Sequence, residues 1–272
     1  MSDEAEPTLL TERDGAVLVL CLNRPKRGNA LDGPTIAALI AVLDDLALDP
    51  GGTRAVLLRS EGRHFCTGAD IGGADIGGAA GAKRAPVGHM VRSLGHGPHR
   101  LIERLWDCRL PVVAELTGRS SGLGLHVALC ADITVAAASA TFSEPFADRG
   151  FSVDSGGSWL LPRFVGLTRA KQMLYTPEPL DAATALAWGL VALVEPDADV
   201  RARAHAIAAD LAGRASFALG LTKGLLHDHL VGDLAPAMVD EAAAIELAIR
   251  SDDFKEGIRA FTEKRVPDFT GR

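Results

Sequence analysis

The sequence lacks an excess of basic residues. Its 272 residues include 28 Lys and Arg against 35 Asp and Glu, which gives a formal net charge of −7. Nucleic acids are bound by basic surfaces that neutralise phosphates, so this balance argues against nucleic acid as the main partner. The sequence also lacks any apolar run near the ~20 residues that a membrane-spanning helix needs. We therefore expect a protein with neither a nucleic-acid partner nor a membrane span.

Paired cysteines and a secretory signal are lacking as well. The four cysteines (Cys21, Cys66, Cys108 and Cys130) are scattered, and no C-x-x-C pair occurs. This pattern is typical of reduced thiols in a cytosolic protein. The first fifteen residues are acidic and contain neither the basic nor the apolar region of a secretory signal. We expect a cytoplasmic protein.

What the sequence does contain favours a core of strands and helices. Hydrophobic residues make up 47% of the chain, which is enough for one large core. Residues 16–22 (AVLVLCL) predict a strand buried on both faces. A helix follows, capped by Asp32 or Gly33, with an apolar stripe from Ile36 to Leu46. Further strands are predicted at residues 54–59, 111–116, 132–136 and 190–194.

Helical patterns dominate the second half of the chain. Amphipathic spacing predicts helices at residues 200–211, 217–230, 236–250 and 254–264. We therefore expect an α/β core over residues 1–200 and a helical region over residues 201–272. The Gly/Ala-rich residues 71–88 offer little to bury, so we expect a mobile loop there. This loop could be a plain surface loop or a rim of an active site.

Two Gly-rich turns are the segments in which the sequence suggests catalytic groups. They are residues 64–70 (HFCTGAD) and residues 118–126 (GRSSGLGLH), the second directly after the strand predicted at 111–116. A Gly-rich turn that opens a helix leaves backbone N–H groups free and adds the positive end of the helix dipole. Two such N–H groups that converged on one point would form an oxyanion hole. The spacing alone leaves their convergence open.

Four segments along the chain match motifs of a known family in the expected order. Residues 23–31 read NRPKRGNAL and residues 65–70 read FCTGAD. Residues 118–132 contain the second Gly-rich loop with its helix, and residues 253–265 read DFKEGIRAFTEKR. Together these segments resemble the signatures of the crotonase (enoyl-CoA hydratase/isomerase) superfamily. The resemblance spans nearly the whole chain.

The resemblance implies a fold and a way of binding a substrate. It implies a crotonase-type spiral of ββα turns with a helical C-terminal region. The backbone N–H groups of Ala69 and Leu123 would bind the thioester oxygen of an acyl-CoA, which makes the α-proton acidic. No cofactor is implied, since CoA is part of the substrate. The family commonly forms trimers or pairs of trimers, so we expect a homotrimer or a dimer of trimers, with residues 201–272 as its oligomerisation region.

The same resemblance suggests where CoA binds. Basic residues near the 23–31 turn could meet CoA phosphates, and a C-terminal lysine of the same or a neighbouring subunit could do the same. The expected CoA-binding residues are Lys26, Arg27, Asp70, Ile71 and Lys264. Each basic side chain in this set could equally be a solvated surface charge.

The sequence departs from the family pattern at the positions that matter for hydration. Hydratases of this family place two glutamates beside the substrate, and here the corresponding positions hold His126 and Phe146. Asp154 stands where many hydratases carry glycine and where isomerases of the superfamily carry a proton-transferring Asp. These isomerases include dienoyl-CoA isomerases and the isomerase of epoxyphenylacetyl-CoA. The resemblance therefore implies an isomerase-like proton shift by Asp154, the alternative being that Asp154 caps the next helix.

The histidines and the remaining acidic residues leave several interpretations open. His126 is a candidate catalytic base, or a helix residue packed against the acyl pocket. Glu144 and Asp148 are lesser candidates, which we expect to be loop charges. The pair His96 and His99, like residues 227–229 (HDH), lacks a set of further ligands, so no metal site is expected.

Three other functions stay open at this point. The chain could be a 2-enoyl-CoA hydratase with atypical acid/base residues. It could be a catalytically inactive acyl-CoA-binding protein, because both glutamates are missing. Residues 118–122 also match the G-x-S-x-G pattern of serine hydrolases, which would place Ser120, Asp154 and either His205 or His227 in the right order.

Overall fold

The computed structural model describes residues 6–70, 86–230 and 234–272. Within these ranges the chain forms two β-sheets flanked by helices. The strands are β1 (Leu9–Asp14), β2 (Val17–Leu22), β3 (Ala55–Ser60), β4 (Val112–Leu116), β5 (Arg119–Ser121), β6 (Ile133–Ala137), β7 (Thr141–Ser143), β8 (Leu180–Asp181) and β9 (Leu193–Glu195). The first four predicted strands are confirmed as β2, β3, β4 and β6, and the strand predicted at 190–194 lies partly in β9.

The larger sheet brings the predicted loops to one edge. Its strand order is β1-β2-β3-β4-β6-β9. β1 pairs antiparallel with β2, and the other neighbours are parallel. Every residue of β2 is buried, as expected for a strand covered on both faces. Because parallel strands end at the same edge, the loops after β3 and β4 emerge side by side.

The smaller sheet gives the fold its spiral. Its strand order is β5-β7-β8. β5 follows β4 after two residues, and β7 follows β6 after three. Successive turns of chain therefore place one strand in each sheet before the next helix begins. The α/β class and the crotonase-type spiral of ββα turns are confirmed.

Helices cover both sheets. They are α1 (Gly33–Leu48), α2 (His89–His96), α3 (Pro98–Trp106), α4 (Leu123–Leu129), α5 (Gly157–Val165), α6 (Leu167–Tyr175), α7 (Ala182–Trp188), α8 (Val200–Ala212), α9 (Ser216–Asp228), α10 (Leu234–Ala248) and α11 (Asp252–Glu263). Short 3₁₀ turns lie at Pro25–Arg27 and Ala147–Arg149. The predicted cap of α1 is confirmed, because a side-chain oxygen of Asp32 accepts a hydrogen bond from the Thr35 N–H at 2.9 Å.

The C-terminal region is helical, as predicted. α8 packs against β3, β4 and β6, whereas α9 contacts α10. The division at residue 200 into a core and an oligomerisation region stays a prediction. Residues 71–85 of the expected mobile loop lie outside the described residues. In the described ranges, no helix combines the length and the apolar character needed to cross a membrane.

Candidate active site

Backbone hydrogen bonds hold the first Gly-rich loop beside the start of α1. The Leu31 N–H donates to the Gly68 carbonyl at 2.8 Å, and the Asp70 N–H donates to the Leu31 carbonyl at 2.9 Å. These two bonds flank Ala69, which forms a parallel bridge with Leu31. The N–H of a residue in that position points away from its bridge partner. Ala69 therefore directs its N–H away from residue 31.

The second Gly-rich turn is bonded directly to the first. The Cys66 N–H donates to the Arg119 carbonyl at 3.1 Å, and the Ser121 N–H donates to the Cys66 carbonyl at 3.0 Å. Gly122 has φ 49° and ψ −125°, a conformation that suits glycine alone. α4 begins at the next residue, Leu123, where the backbone N–H groups of a first helical turn have no partner within the helix.

A cleft of about 750 Å³ runs along both loops. Ala69 and Leu123 line it, and so does Asp154. Neither the Ala69 N–H nor the Leu123 N–H donates a hydrogen bond to any residue within 6–70, 86–230 and 234–272. Two unpaired backbone donors on the wall of one cleft are what an oxyanion hole requires.

Arg24 and Asn29 fix the 23–31 turn to this cleft. One guanidinium nitrogen of Arg24, Nη2, lies 2.9 Å from Oδ2 of Asp70 and 3.0 Å from Oδ2 of Asp32. The Asn29 side chain accepts a hydrogen bond from the Arg24 N–H at 2.8 Å and donates to the His64 carbonyl at 2.6 Å. These contacts of Arg24 and Asn29 thus bind the 23–31 turn to the first Gly-rich loop and to Asp32, the cap of α1.

The residues predicted to bind CoA are not all at the cleft. Arg27 and Asp70 line it. Lys26 is exposed next to Arg27 but lies outside the lining, and Lys264 is exposed at the C-terminal end of α11, also outside it. Ile71 falls outside the described residues. Contact with CoA stays a prediction for this set.

Asp154 lies in the turn before α5, half-buried and on the cleft wall. α5 begins at Gly157 with Gly156 as its N-cap, and no side chain caps it. The alternative that the Asp154 side chain caps this helix is therefore wrong; its main-chain carbonyl accepts from the Gly157 N–H at 3.0 Å instead. The carboxylate forms no hydrogen bond or ion pair with the described residues, so it is available to a bound substrate.

His126 lies one layer behind the cleft wall. Its side chain is 0% exposed, and its ring is nearly parallel to that of Phe146, with 6.0 Å between centroids. Phe146 lines the cleft, whereas His126 does not. Nε2 of His126 lies 3.1 Å from Oε1 of Glu144, the distance of an ion pair, although the alignment falls short of a hydrogen bond. A role for His126 as a catalytic base stays a prediction.

Glu144 is a functional candidate that the sequence interpretation undervalued. It is fully buried, which corrects the expectation of a loop charge. Burial raises the pKa of its carboxyl, His126 opposes this shift, and the charge of Asp154 adds to it. The sequence signal for this burial was the alternation of side chains through β7 and its flanking residues, which places Ala140, Phe142 and Glu144 on one buried face.

The serine hydrolase arrangement is not assembled. Ser120 is buried in β5, and its Oγ has no hydrogen-bond partner among the described residues. Nε2 of His205 instead lies 2.8 Å from Oδ2 of Asp14, and the His227 ring stacks on Trp106 with 3.8 Å between centroids. Neither histidine can act as the base for Ser120 in this arrangement. In the described part of the chain, no group of three or more His, Cys, Asp or Glu is placed to hold a metal ion.

Comparisons with known proteins identify the family of the chain. A family profile described as enoyl-CoA hydratase/isomerase matches residues 12–272. A "probable enoyl-CoA hydratase" of Rhodobacter capsulatus is 36% identical over 265 residues, covering 97% of this chain and 98% of the relative. A 1,2-epoxyphenylacetyl-CoA isomerase of Escherichia coli K12 is 33% identical, with coverages of 97% and 98%. The crystal structure of an enoyl-CoA hydratase from Bacillus anthracis superposes with a TM-score of 0.88 at 28% identity, covering 97% of this chain and 100% of that one.

Proposed function

The chain belongs to the enoyl-CoA hydratase/isomerase family, and on that premise we propose that it is an enoyl-CoA isomerase. In this proposal Ala69 and Leu123 bind the thioester oxygen of an acyl-CoA through their backbone N–H groups. Asp154 then moves a proton between two carbons of the acyl group. The thioester carries CoA, so no separate cofactor takes part.

The observation that carries this proposal is the free carboxylate of Asp154. Two other carboxylates line the cleft, Asp32 and Asp70, but Arg24 binds both of them. Among the described residues, Asp154 is therefore the cleft carboxylate that remains unpaired. The positions of the two hydratase glutamates hold the buried His126 and the apolar Phe146, so neither supplies a carboxylate to the substrate.

One carboxylate and two backbone donors are sufficient for a 1,3-proton shift. In a 3-enoyl thioester, the C2–H bond breaks and an O–H bond forms on Asp154. Negative charge moves onto the thioester oxygen, where the two N–H groups stabilise it; one such donor is worth about 2.7–4 kcal/mol in hydrolases. The double bond shifts from C3–C4 to C2–C3 as Asp154 returns its proton to C4. The atoms and charges balance, and no water is consumed.

The cleft also suggests what kind of acyl group fits. Phe146 and Phe151 line it together with Asp154, so an apolar or aromatic part of the substrate would pack beside the proton-transferring group. The relative from Escherichia coli is named for a phenyl-bearing substrate, 1,2-epoxyphenylacetyl-CoA. We therefore include aryl thioesters among the candidate substrates.

A panel of thioesters tests the proposal. Wild type and Asp154→Asn are each given 3-enoyl, 2-enoyl, dienoyl and arylacetyl-type CoA thioesters, and product is identified by mass and retention time. The expected result is isomerisation of at least one substrate, reduced by about 10²–10⁴-fold in the variant because a positioned acid/base group is lost. Asp148→Asn is the matched control, since Asp148 is exposed nearby and lies outside the cleft lining. If Asp154→Asn converts every substrate as fast as wild type, the role of Asp154 is wrong.

Hydration is the second candidate, because hydratase names predominate among the relatives found. Addition of water requires a group that activates water and a group that delivers a proton to carbon. The same panel distinguishes this function, since a hydratase converts 2-enoyl thioesters to 3-hydroxyacyl products. Hydration faster than any isomerisation would replace the proposal, and tight binding of thioesters without turnover would support an inactive acyl-CoA-binding protein.

We also propose that the protein assembles as a homotrimer or a dimer of trimers through its C-terminal helices. Large apolar side chains are exposed on α10 and α11, including Met238, Val239, Ile258 and Phe261. Apolar surface gathered in one region of a chain favours contact with another chain. A second copy placed there would also decide whether Lys264 reaches a neighbouring cleft.

A further inference from the structure

Phe146 separates a buried polar pair from the cleft. The pair consists of His126 and Glu144, whose side chains are both 0% exposed, with Nε2 of His126 3.1 Å from Oε1 of Glu144. The side-chain nitrogen and oxygen atoms of the pair have no hydrogen-bond partner among the described residues. Burying polar groups without hydrogen bonds is unfavourable, so native proteins rarely keep such groups without a use for them. The proton shift described above uses neither of them.

The ring of Phe146 covers this pair on the side of the cleft. It lies nearly parallel to the imidazole of His126, at 9° and with 6.0 Å between centroids, the separation of an offset stack. Phe146 lines the cleft, whereas neither His126 nor Glu144 does. One edge of the imidazole is closed by α5, because a Cβ added to Gly157 would lie 2.4 Å from Nε2 and 2.5 Å from Cε1 of His126. The cover of the pair that faces the cleft is therefore the phenyl ring.

The same ring lies beside a proposed oxyanion donor. A Cβ added to Gly122 would lie 3.9 Å from Cζ of Phe146, an ordinary contact distance, and Leu123 is the next residue. The backbone holds the ring there, since the Phe146 carbonyl accepts hydrogen bonds from the N–H groups of Arg149 at 3.1 Å and Phe151 at 3.0 Å. A thioester whose oxygen is bound at Leu123 therefore places its first acyl carbons near this ring.

We propose that Phe146 determines which reaction the cleft performs, by keeping water and substrate away from a latent acid/base pair formed by His126 and Glu144. Hydration requires a group that activates water and a group that delivers a proton to carbon. An imidazole and a carboxyl side by side have both capacities, but only where water reaches them. With the phenyl ring in place, neither reaches the thioester, and the reaction stays the proton shift by Asp154. The inference rests on the proposed function, because it states what keeps that proton shift free of hydration.

The chemistry that the ring prevents is the addition of one water molecule. The pair takes a proton from water while the water oxygen bonds to C3 of a 2-enoyl thioester. The π electrons of the C2–C3 bond carry negative charge onto the thioester oxygen, where the N–H groups of Ala69 and Leu123 bind it. Return of the proton from the pair to C2 completes a 3-hydroxyacyl thioester and restores the pair.

Phe146→Ala tests this role with 2-enoyl thioesters, with folding checked by circular dichroism. Opening the pair to the cleft is expected to raise the formation of 3-hydroxyacyl product by about 10²-fold over wild type, the lower end of what a positioned acid/base group contributes. Phe151→Ala is the matched control, because it removes the same atoms from another side chain of the cleft lining, whereas the ring stacked on His126 is that of Phe146. No gain of hydration in Phe146→Ala, or an equal gain in Phe151→Ala, overturns the inference.

A second substitution shows whether the gain comes from the pair. Phe146→Ala/Glu144→Gln is expected to lose the gained hydration, because the carboxyl is removed and the shape is kept. Phe146→Ala/Glu115→Gln is the control and is expected to retain it. Glu115 is also buried, at 2% exposure, but its carboxylate lies 3.3 Å from Nε of Arg201, outside the cleft lining. A gain that survives Glu144→Gln, or is lost equally with Glu115→Gln, contradicts the role of the pair.

Access of water to the pair is measured without turnover. The Cε1 hydrogen of a histidine ring exchanges slowly with deuterium oxide, at a rate that falls when the ring is shielded, and mass spectrometry of peptides resolves each histidine. In wild type we expect exchange at His126 to be much slower than at the exposed His96, and in Phe146→Ala to be several-fold faster than in wild type. Exchange at His126 as fast as at His96 in wild type, or unchanged in the variant, overturns the inference. No thioester is present, so these outcomes are independent of the proposed function, which full isomerisation by Asp154→Asn would overturn alone.

Discussion

Gly124 keeps the two Gly-rich loops in contact by having no side chain. A Cβ at this position would lie 2.4 Å from the carbonyl oxygen of Cys66 and 2.6 Å from its Sγ. Gly68, with φ 107°, is similarly restricted, because a Cβ there would lie 3.0 Å from the Ser121 carbonyl oxygen. Both close approaches lie next to the proposed oxyanion donors, Ala69 and Leu123. The placement of the donors therefore depends on these two glycines.

Gly124→Ala is expected to push the loops apart. Overpacking of this kind typically costs about 1–3 kcal/mol, measured as the free energy of unfolding in urea. Turnover of the isomerised thioester should fall as well, because the Leu123 N–H is displaced. Gly95→Ala is the control, since a Cβ at that position in α2 meets nothing within 4 Å. Full stability and full turnover in Gly124→Ala would show that the close contact is not needed.

For single residues, the family motifs identified more of the site than the spacing of residues along the chain did. Ala69, Leu123 and Asp154 were predicted from motif positions, and all three line the same cleft. Spacing alone left the convergence of the two loops open, because convergence depends on bonds between residues 66 and 119–121 that no local pattern reveals. Glu144 was undervalued because β7, the strand directly before it, has only three residues, too few for alternation to stand out.

At the scale of elements, α11 and the chain that follows it are joined by a network centred on Glu256. Its carboxylate accepts hydrogen bonds from Arg265 at 3.0 Å, from the Asp268 N–H at 3.0 Å and from Arg259 at 3.0 Å. These bonds, with Arg265 first, hold the pKa of the Glu256 carboxyl well below its usual range. The C-terminal residues are therefore fixed onto α11 by an ionised carboxylate.

Glu256→Gln should make the protein less stable in a way that depends on pH. The stabilisation from a carboxyl with a lowered pKa is fully present above its unfolded value, about 4.3, and is lost as pH falls through the folded value. The melting temperature is therefore expected to fall by a few degrees at pH 7, and the difference from wild type should shrink below about pH 4. Glu246→Gln is the control, because its ion pair with Arg250 is exposed on both sides. A difference that stays constant down to pH 3 would contradict the role of the charge.

Elements differed in how well the sequence predicted them. Long amphipathic helices and buried strands of five or six residues were placed within a few residues, because their hydrophobic periods extend over enough positions. β5, β7 and β8 have only two or three residues and were not predicted. Their pairing depends on partners distant in sequence, which the resemblance to the family supplied and the periodicity did not.

In the whole molecule, the helices of the C-terminal region differ in what they pack against. α8 covers the main sheet, while α10 and α11 leave large apolar side chains exposed. Helical periodicity could predict these helices but not their partners, because an apolar stripe is the same whether it meets the core or another chain. We propose that copies of the chain contact one another through the exposed apolar side chains of α10 and α11.

Phe261→Asp tests this contact. Phe261 is 84% exposed on α11, so replacing it should have little effect on the folded protomer. A charge placed in an apolar contact between chains is expected to dissociate the assembly, seen as a smaller mass by light scattering after gel filtration. Leu48→Asp is the control, because Leu48 is similarly exposed, at 87%, but belongs to α1 and not to the C-terminal helices. A wild-type protein that is already monomeric would contradict the proposed assembly.

A thioester deuterated at C2 tests proton transfer by Asp154, because removal of the deuteron is seen whether it is returned to C4 or lost to solvent. Wild type, Asp154→Asn and Asp148→Asn are incubated with the deuterated thioester in water, and deuterium at C2 and C4 of the recovered substrate and product is measured by mass spectrometry. We expect removal of the deuteron by wild type and by Asp148→Asn, and a rate lower by about 10²-fold or more in Asp154→Asn. Removal by Asp154→Asn at the wild-type rate would contradict the role of Asp154.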